Sequence, residues 1–87
     1  MNNNSFKIKL LNLPLGTFYV NFRSKKYIVT LQSYSFNKII KLYARELKGF
    51  DIVSGNYFKT IKGGLLKPCE MSDQKVIDFV LNLEIIE

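Results

Sequence analysis

Phe6, Ile8 and Leu10 alternate with Lys7 and Lys9, the period-two pattern that predicts a half-buried strand. Pro14 and Gly16 then punctuate a turn. A second strand is predicted where Phe18, Val20 and Phe22 share one face and Thr17, Tyr19, Asn21 and Arg23 share the other. The polar run Arg23-Ser24-Lys25-Lys26 leads into a third strand, Tyr27 to Gln32, and the two read as a hairpin.

The period changes after Ser35. Apolar residues at 36, 39, 40, 43 and 47 match a helix over 36–48, with Ser35 as N-cap and Gly49 as the C-terminal glycine. Phe50 to Val53 and Tyr57 to Ile61 read as strands around the turn Ser54-Gly55-Asn56, and Lys62 to Pro68 as a loop. A last helix begins near Asp73, capped by Ser72, with Met71 and Val76 placed as a hydrophobic staple. Val76, Ile77, Val80 and Leu81 form its buried face. The order β-β-β-α-β-β-α predicts a single α+β domain over residues 1–87, an antiparallel sheet of four to five strands with two helices, residues 1–5 being flexible.

Composition sharpens this picture. With 87 residues, 47% of them hydrophobic, one core forms without covalent staples. The single cysteine, Cys69, excludes an intramolecular disulfide and fits a reducing, intracellular compartment as a half-buried free thiol. No apolar run reaches the roughly 18 residues of a membrane span, and MNNNSF has neither signal-peptide nor transit-peptide character. Lysine outnumbers arginine eleven to two, a bias of AT-rich coding as in bacteria of low GC content, phages, plastids or mitochondria. The expected location is the cytoplasm of such a bacterium or of a phage-infected cell, or an organelle.

The net charge of +6 conceals a split. Residues 1–67 carry twelve Lys or Arg against Glu46 and Asp51, a net of +10, whereas residues 68–87 carry Lys75 against five carboxylates, a net of −4. Such asymmetry favours an anionic partner for the body of the domain.

Candidate chemistry is sparse. There is no histidine, which removes the commonest general base and metal ligand. One cysteine with Glu70 beside it builds no zinc site, so no metal and no cofactor are expected. Lys62-Gly63-Gly64 lacks phosphate-loop spacing and reads as a flexible connection. The expectation is a binding protein and not an enzyme.

Two surfaces carry the binding expectation. Lys38, Lys41, Arg45 and Lys48 form one cationic row on the predicted helix, with Glu46 alone to compensate it. Tyr19 and Arg23, on the outward side of the second strand near Lys25 and Lys26, join an aromatic ring to cations, a combination that stacks bases or anchors a protein interface. The leading expectation is a small assembly or linker protein docking on the acidic surface of a larger complex. Close behind stands an RNA- or DNA-binding protein, such as a ribosomal or phage component, and then a small phage-type inhibitor of a nucleic-acid enzyme. No membrane partner is expected.

The stretches FKIKLLNL and FRSKKYIVTLQSYSFNKIIKLYARELKGFDIVS, within residues 6–54, resemble the small linker domain of phycobilisomes. That family joins an aromatic strand, a basic Arg-Ser stretch, a strand of the Tyr-Ile-Val type, a helix, a glycine and a final strand. Here these fall on Phe6 to Leu10, Arg23-Ser24, Tyr27-Ile28-Val29, residues 36–48, Gly49 and Ile52-Val53. The chain departs from the family by Thr30-Leu31-Gln32 where proline is usual, by a single glycine before the last strand, and by residues 55–87. The resemblance implies a basic, non-enzymatic protein held among rings of acidic pigment proteins, with Arg23, Lys25 and Lys26 in contact and the row on 36–48 second.

Overall fold

In the computed structural model, residues 3–61 and 63–86 are described. Helix α1 (Asn3–Asn12) precedes a five-stranded meander, β1 (Gly16–Phe22), β2 (Lys25–Tyr34), β3 (Ile39–Glu46), β4 (Ile52–Thr60) and β5 (Gly63–Pro68). Helix α2 (Asp73–Asn82) and the short β6 (Glu84–Ile85) follow. All pairs are antiparallel, in the order β5-β4-β3-β2-β1-β6. The α+β class, the antiparallel sheet and the number of helices among the described residues agree with the sequence pattern, while the sheet has six strands rather than four to five and the order becomes α-β-β-β-β-β-α-β. None of the described helices is long and apolar enough to cross a membrane.

Both helices lie on one face of the sheet. Val20, Tyr27, Val29, Leu31, Ile40, Leu42, Ala44, Val53 and Tyr57 point toward them and are buried. From α1 come Phe6 and Leu10, with Leu13 just after it, and from α2 Val76, Ile77, Phe79 and Val80. Phe79 sits between Phe22 and Tyr27, ring centroids 5.0 and 5.1 Å away, and Phe6 meets Tyr57 edge-on at 5.8 Å. Burying a ring of this size stabilises the fold by about 1.5–3 kcal/mol. Ser72 caps α2 by accepting from the Lys75 amide, as its sequence position predicts.

Two segments exchange the types expected of them. Residues 6–10 are helical, because Phe6, Leu10 and Leu13 stand four and three apart and all three are buried, while Ile8 is 62% exposed. Residues 39–46 are the strand β3, so the helix over 36–48 does not form. Ile40, Leu42 and Ala44 point to the core and Ile39, Lys41, Tyr43 and Arg45 point away. Pairing on both sides, Leu42 facing Leu31 and Gly55, outweighs a weak helical period. The strand at 6–10 and the helix at 36–48, which carried part of the linker-domain resemblance, are thus a helix and a strand.

Smaller differences follow the same logic. Ser54-Gly55-Asn56 is no turn but the middle of a continuous β4, and Gly63 to Pro68 is the edge strand β5 rather than a loop. Asn3 to Ser5 belong to α1, whereas Met1 and Asn2, expected to be flexible, lie outside the described residues, as do Lys62 and Glu87. Cys69 is exposed. The β1–β2 hairpin closes through Arg23 and Ser24, both with positive φ (49° and 67°), the geometry of a tight two-residue turn that matches strand twist.

Candidate nucleic-acid interface

Among the described residues, none packs on the face of the sheet away from the helices. Strand alternation and register define what it presents. On β3, Lys41, Tyr43 and Arg45 project in succession, spaced by about 6.7 Å for every second residue of a strand. Across the strands, Tyr19 faces Ile28, Ile28 faces Arg45, and Arg45 faces Ile52. The next row runs Thr17, Thr30, Tyr43, Ser54, with the two threonine hydroxyls 3.3 Å apart. A third runs Gln32, Lys41, Asn56, Lys67, and a fourth Tyr34, Ile39, Phe58, Leu65.

This open face therefore carries four aromatic rings (Tyr19, Tyr34, Tyr43 and Phe58) and four cations (Lys26, Lys41, Arg45 and Lys67). Tyr19, Tyr34 and Tyr43 are 48, 46 and 42% exposed. Across β1 to β5 the open face holds no carboxylate. The described acids lie on the last residue of β3, in the loops after β3 and β5, on α2 and on β6, where Glu84 faces Asn21 at the margin of the open face. The Tyr34 hydroxyl donates to Gln32 Oε1 at 2.8 Å, which holds that ring across the surface. Rings lying on a pleated sheet with cations between them offer stacking planes and charge neutralisation together.

The expected site residues divide among three places. Tyr19, Lys26, Lys41 and Arg45 share the open face. Lys25, Lys26 and Lys48 come together at the end of the sheet around a cleft of about 290 Å³, lined also by Asn21, Ser24, Glu46 and Leu47. Lys25 there stands 3.8 Å from Glu46 Oε2. Arg23 does not stand beside Tyr19. It turns toward the helices, donating to Asp78 Oδ2 at 2.6 Å with its guanidinium 5.1 Å from the Phe22 ring centre. Lys38 lies in the β2–β3 turn at the opposite end from Lys48, so the four-residue cationic row is broken into a turn, a strand and a turn.

Sequence reasoning missed Tyr43, Tyr34, Phe58 and Lys67. Tyr43 belongs to the apolar side of the helix expected over 36–48, and its exposure on the sheet follows from β3 being a strand. The signal was present as Ile39, Lys41, Tyr43 and Arg45 alternating with the apolar Ile40, Leu42 and Ala44.

One network, buried at Tyr27 and open to solvent at Lys75, fixes the cleft end of the sheet. The Tyr27 hydroxyl donates to Asp51 Oδ2 at 2.6 Å, and Lys75 Nζ of α2 lies 2.7 Å from Asp51 Oδ1. Burial pushes the Tyr27 hydroxyl well above its ordinary range, and the Asp51 charge adds to this. Burial would also raise Asp51, but the bonds from Lys75 and Tyr27 prevail and hold it below its ordinary value. On the far side, Lys9 Nζ donates to the carbonyls of Leu81 and Leu83 at 3.0 and 2.8 Å, where burial lowers its affinity for the proton against the opposing pull of Glu84. Among the described residues no group of three His, Cys, Asp or Glu is arranged to hold a metal ion.

No family model, curated protein or solved structure matches the chain.

Proposed function

We propose that the protein is a non-catalytic binder of single-stranded nucleic acid that uses the open face of its sheet. The observation that carries this reading is the Lys41-Tyr43-Arg45 succession on β3, a ring between two cations on a face that holds no carboxylate across β1 to β5. Bases stack on exposed rings irrespective of sequence, at about 1–3 kcal/mol per base, while neighbouring cations neutralise the backbone. Lys25, Lys26 and Lys48 around the end cleft extend the cationic track beyond the rings. A phosphate backbone crossing β1 to β5 meets no carboxylate on that face; Glu84 stands at its β6 margin and Glu46 in the end cleft.

A second reading, docking on an acidic protein surface within a larger complex, is favoured by the aliphatic side chains on the same face. Ile52 and Leu65 are 39 and 48% exposed, and apolar area of this kind suits a protein interface more than a nucleic acid. The rings between cations favour the nucleic-acid reading over this one.

Fluorescence anisotropy with labelled single-stranded RNA and DNA, and with a duplex of the same sequence, tests the reading. The expected result is preference for single strands, with log affinity falling linearly in log salt concentration. Equal binding of duplex and single strands, or no binding at low salt, overturns it. A nuclease-resistant, stoichiometric acidic protein recovered with the tagged chain from its own host, and lost with Tyr43→Ala, would establish the second reading instead.

A further inference from the structure

The β2–β3 turn and the β4–β5 turn emerge at one end of the sheet, beside the loop from α1 into β1. Each presents a large apolar side chain to solvent: Leu15 is 59% exposed, and Phe36 and Ile61 are fully exposed. Lys38 and Lys59 stand among them, also exposed, the Lys59 amide donating to the Lys38 carbonyl at 2.8 Å. None of the described carboxylates lies at this end.

Phe36 is held out by an unusual backbone. Ser35, Phe36 and Asn37 have φ of 53°, 56° and 69°, three successive non-glycine residues in the left-handed region. Such a run is strained, and it persists here around a ring that touches no core. Behind these tips a pocket of about 200 Å³ opens between α1 and the sheet, walled by Leu10, Leu13, Leu31 and Ile40, with Lys59 and Asn37 in its lining.

We infer that this end of the molecule docks on an anionic lipid surface, with Phe36, Ile61 and Leu15 entering the acyl boundary and Lys38 and Lys59 meeting lipid phosphates. The occupant follows from chemistry and shape. Single apolar side chains on three separate tips make no continuous wall for a protein to match, whereas a fluid acyl layer demands no complementary surface. Lysines at the level of the headgroups add attraction to acidic lipid. This is surface attachment and needs no spanning segment. Phe50 supplies an internal contrast. It is as exposed as Phe36, but it sits at the other end, next to Asp51 and near Glu46.

Co-sedimentation of the full chain with vesicles tests the inference, comparing phosphatidylcholine containing roughly one-third phosphatidylserine with phosphatidylcholine alone. The expected result is sedimentation with the acidic vesicles and an affinity loss of about ten-fold or more in Phe36→Ser/Ile61→Ser. Lys38→Gln/Lys59→Gln should narrow the difference between the two lipids, and Phe50→Ser should bind as the parent does. The chain has no tryptophan, so Phe36→Trp provides a lone fluorophore. Its emission should shift to the blue on acidic vesicles and be quenched by brominated acyl chains, while that of Phe50→Trp should not change. No sedimentation with acidic vesicles, equal losses for the Phe36/Ile61 and Phe50 variants, or an unshifted Phe36→Trp spectrum overturns the inference. Oligonucleotide binding by Phe36→Ser/Ile61→Ser is expected to equal that of the parent, so this inference and the proposed function fail independently.

Discussion

Lys41 and Arg45 project from the same open face of β3 with the Tyr43 ring between them. Removing that ring leaves the charge in place, so Tyr43→Ala separates stacking from electrostatics. Single-stranded affinity is expected to fall about ten-fold, in line with the loss of one stacked base. Stability should change by no more than about 1 kcal/mol, the range of a cross-strand pair on an exposed face. Anisotropy titrations beside a urea denaturation curve give both quantities.

The cations should act differently. Arg45→Gln and Lys41→Gln are each expected to weaken binding of all sequences alike and to reduce the log–log salt slope by about one. Arg23→Gln, which loses the Asp78 pair at the helices, should leave the slope unchanged. A slope that falls with Arg23→Gln and not with Arg45→Gln would move the site away from the open face.

How much of this was legible in the sequence depends on which face each segment buries. The β1–β2 hairpin and α2 were readable because each has one apolar and one polar side, with Ser72 marking the helix start. β3 was not, because its open side is only half polar. Ile39 and Tyr43 on the open face add to Ile40 on the core face to imitate a helical repeat. For α1, the alternation of Phe6, Ile8 and Leu10 hid the helical set Phe6, Leu10 and Leu13, and only burial tells which set is used. The half of the site on β1 and β2, Tyr19 and Lys26, was therefore visible. On β3 the cations Lys41 and Arg45 were visible too, but joining them to Tyr43, Tyr34, Phe58 and Lys67 on one face required β3 to be a strand paired with distant residues.

Acid should loosen the cleft end of the sheet. Asp51 has a lower proton affinity in the folded chain than in the unfolded one, so its contribution to stability is complete above the unfolded carboxylate value, near 3.9. That contribution is lost as pH falls through the folded value. Asp51→Asn is expected to cost about 1.5–3 kcal/mol at neutral pH, the range for a hydrogen bond to a charged group, and to flatten the acid limb of the stability curve. Thermal melts of parent and variant between neutral pH and pH about 2 give the comparison.

Lys9 is expected to matter more than a surface lysine. Its two bonds to the Leu81 and Leu83 carbonyls tie α1 to the end of α2 and the start of β6. Lys9→Met keeps the aliphatic stem and removes the donor, for an expected loss of about 1–2 kcal/mol. Faster amide exchange at Leu83 and Ile86, whose amides bond to Phe79 and Tyr19, should accompany it.

Gly64 tests the edge of the sheet. A β-carbon there would collide with the Tyr57 hydroxyl and ring, which lie over the glycine on the core side. Gly64→Ala is expected to cost about 1–3 kcal/mol by displacing that ring from its place against Phe6. Tyr57→Phe/Gly64→Ala, with the hydroxyl removed, should recover part of the loss in the same denaturation assay.

The sequential pairing of β1 through β5 has a consequence for the chain as it is synthesised. Each strand meets its neighbour as soon as both have left the ribosome, so the meander can assemble progressively from local hairpins. Its inner side then stands half covered, because Val76, Phe79 and Val80 arrive only after β5 is finished. During that interval α1 alone shields the nascent sheet, and a ribosome paused before residue 73 would hold out an unfinished apolar surface to any chaperone nearby.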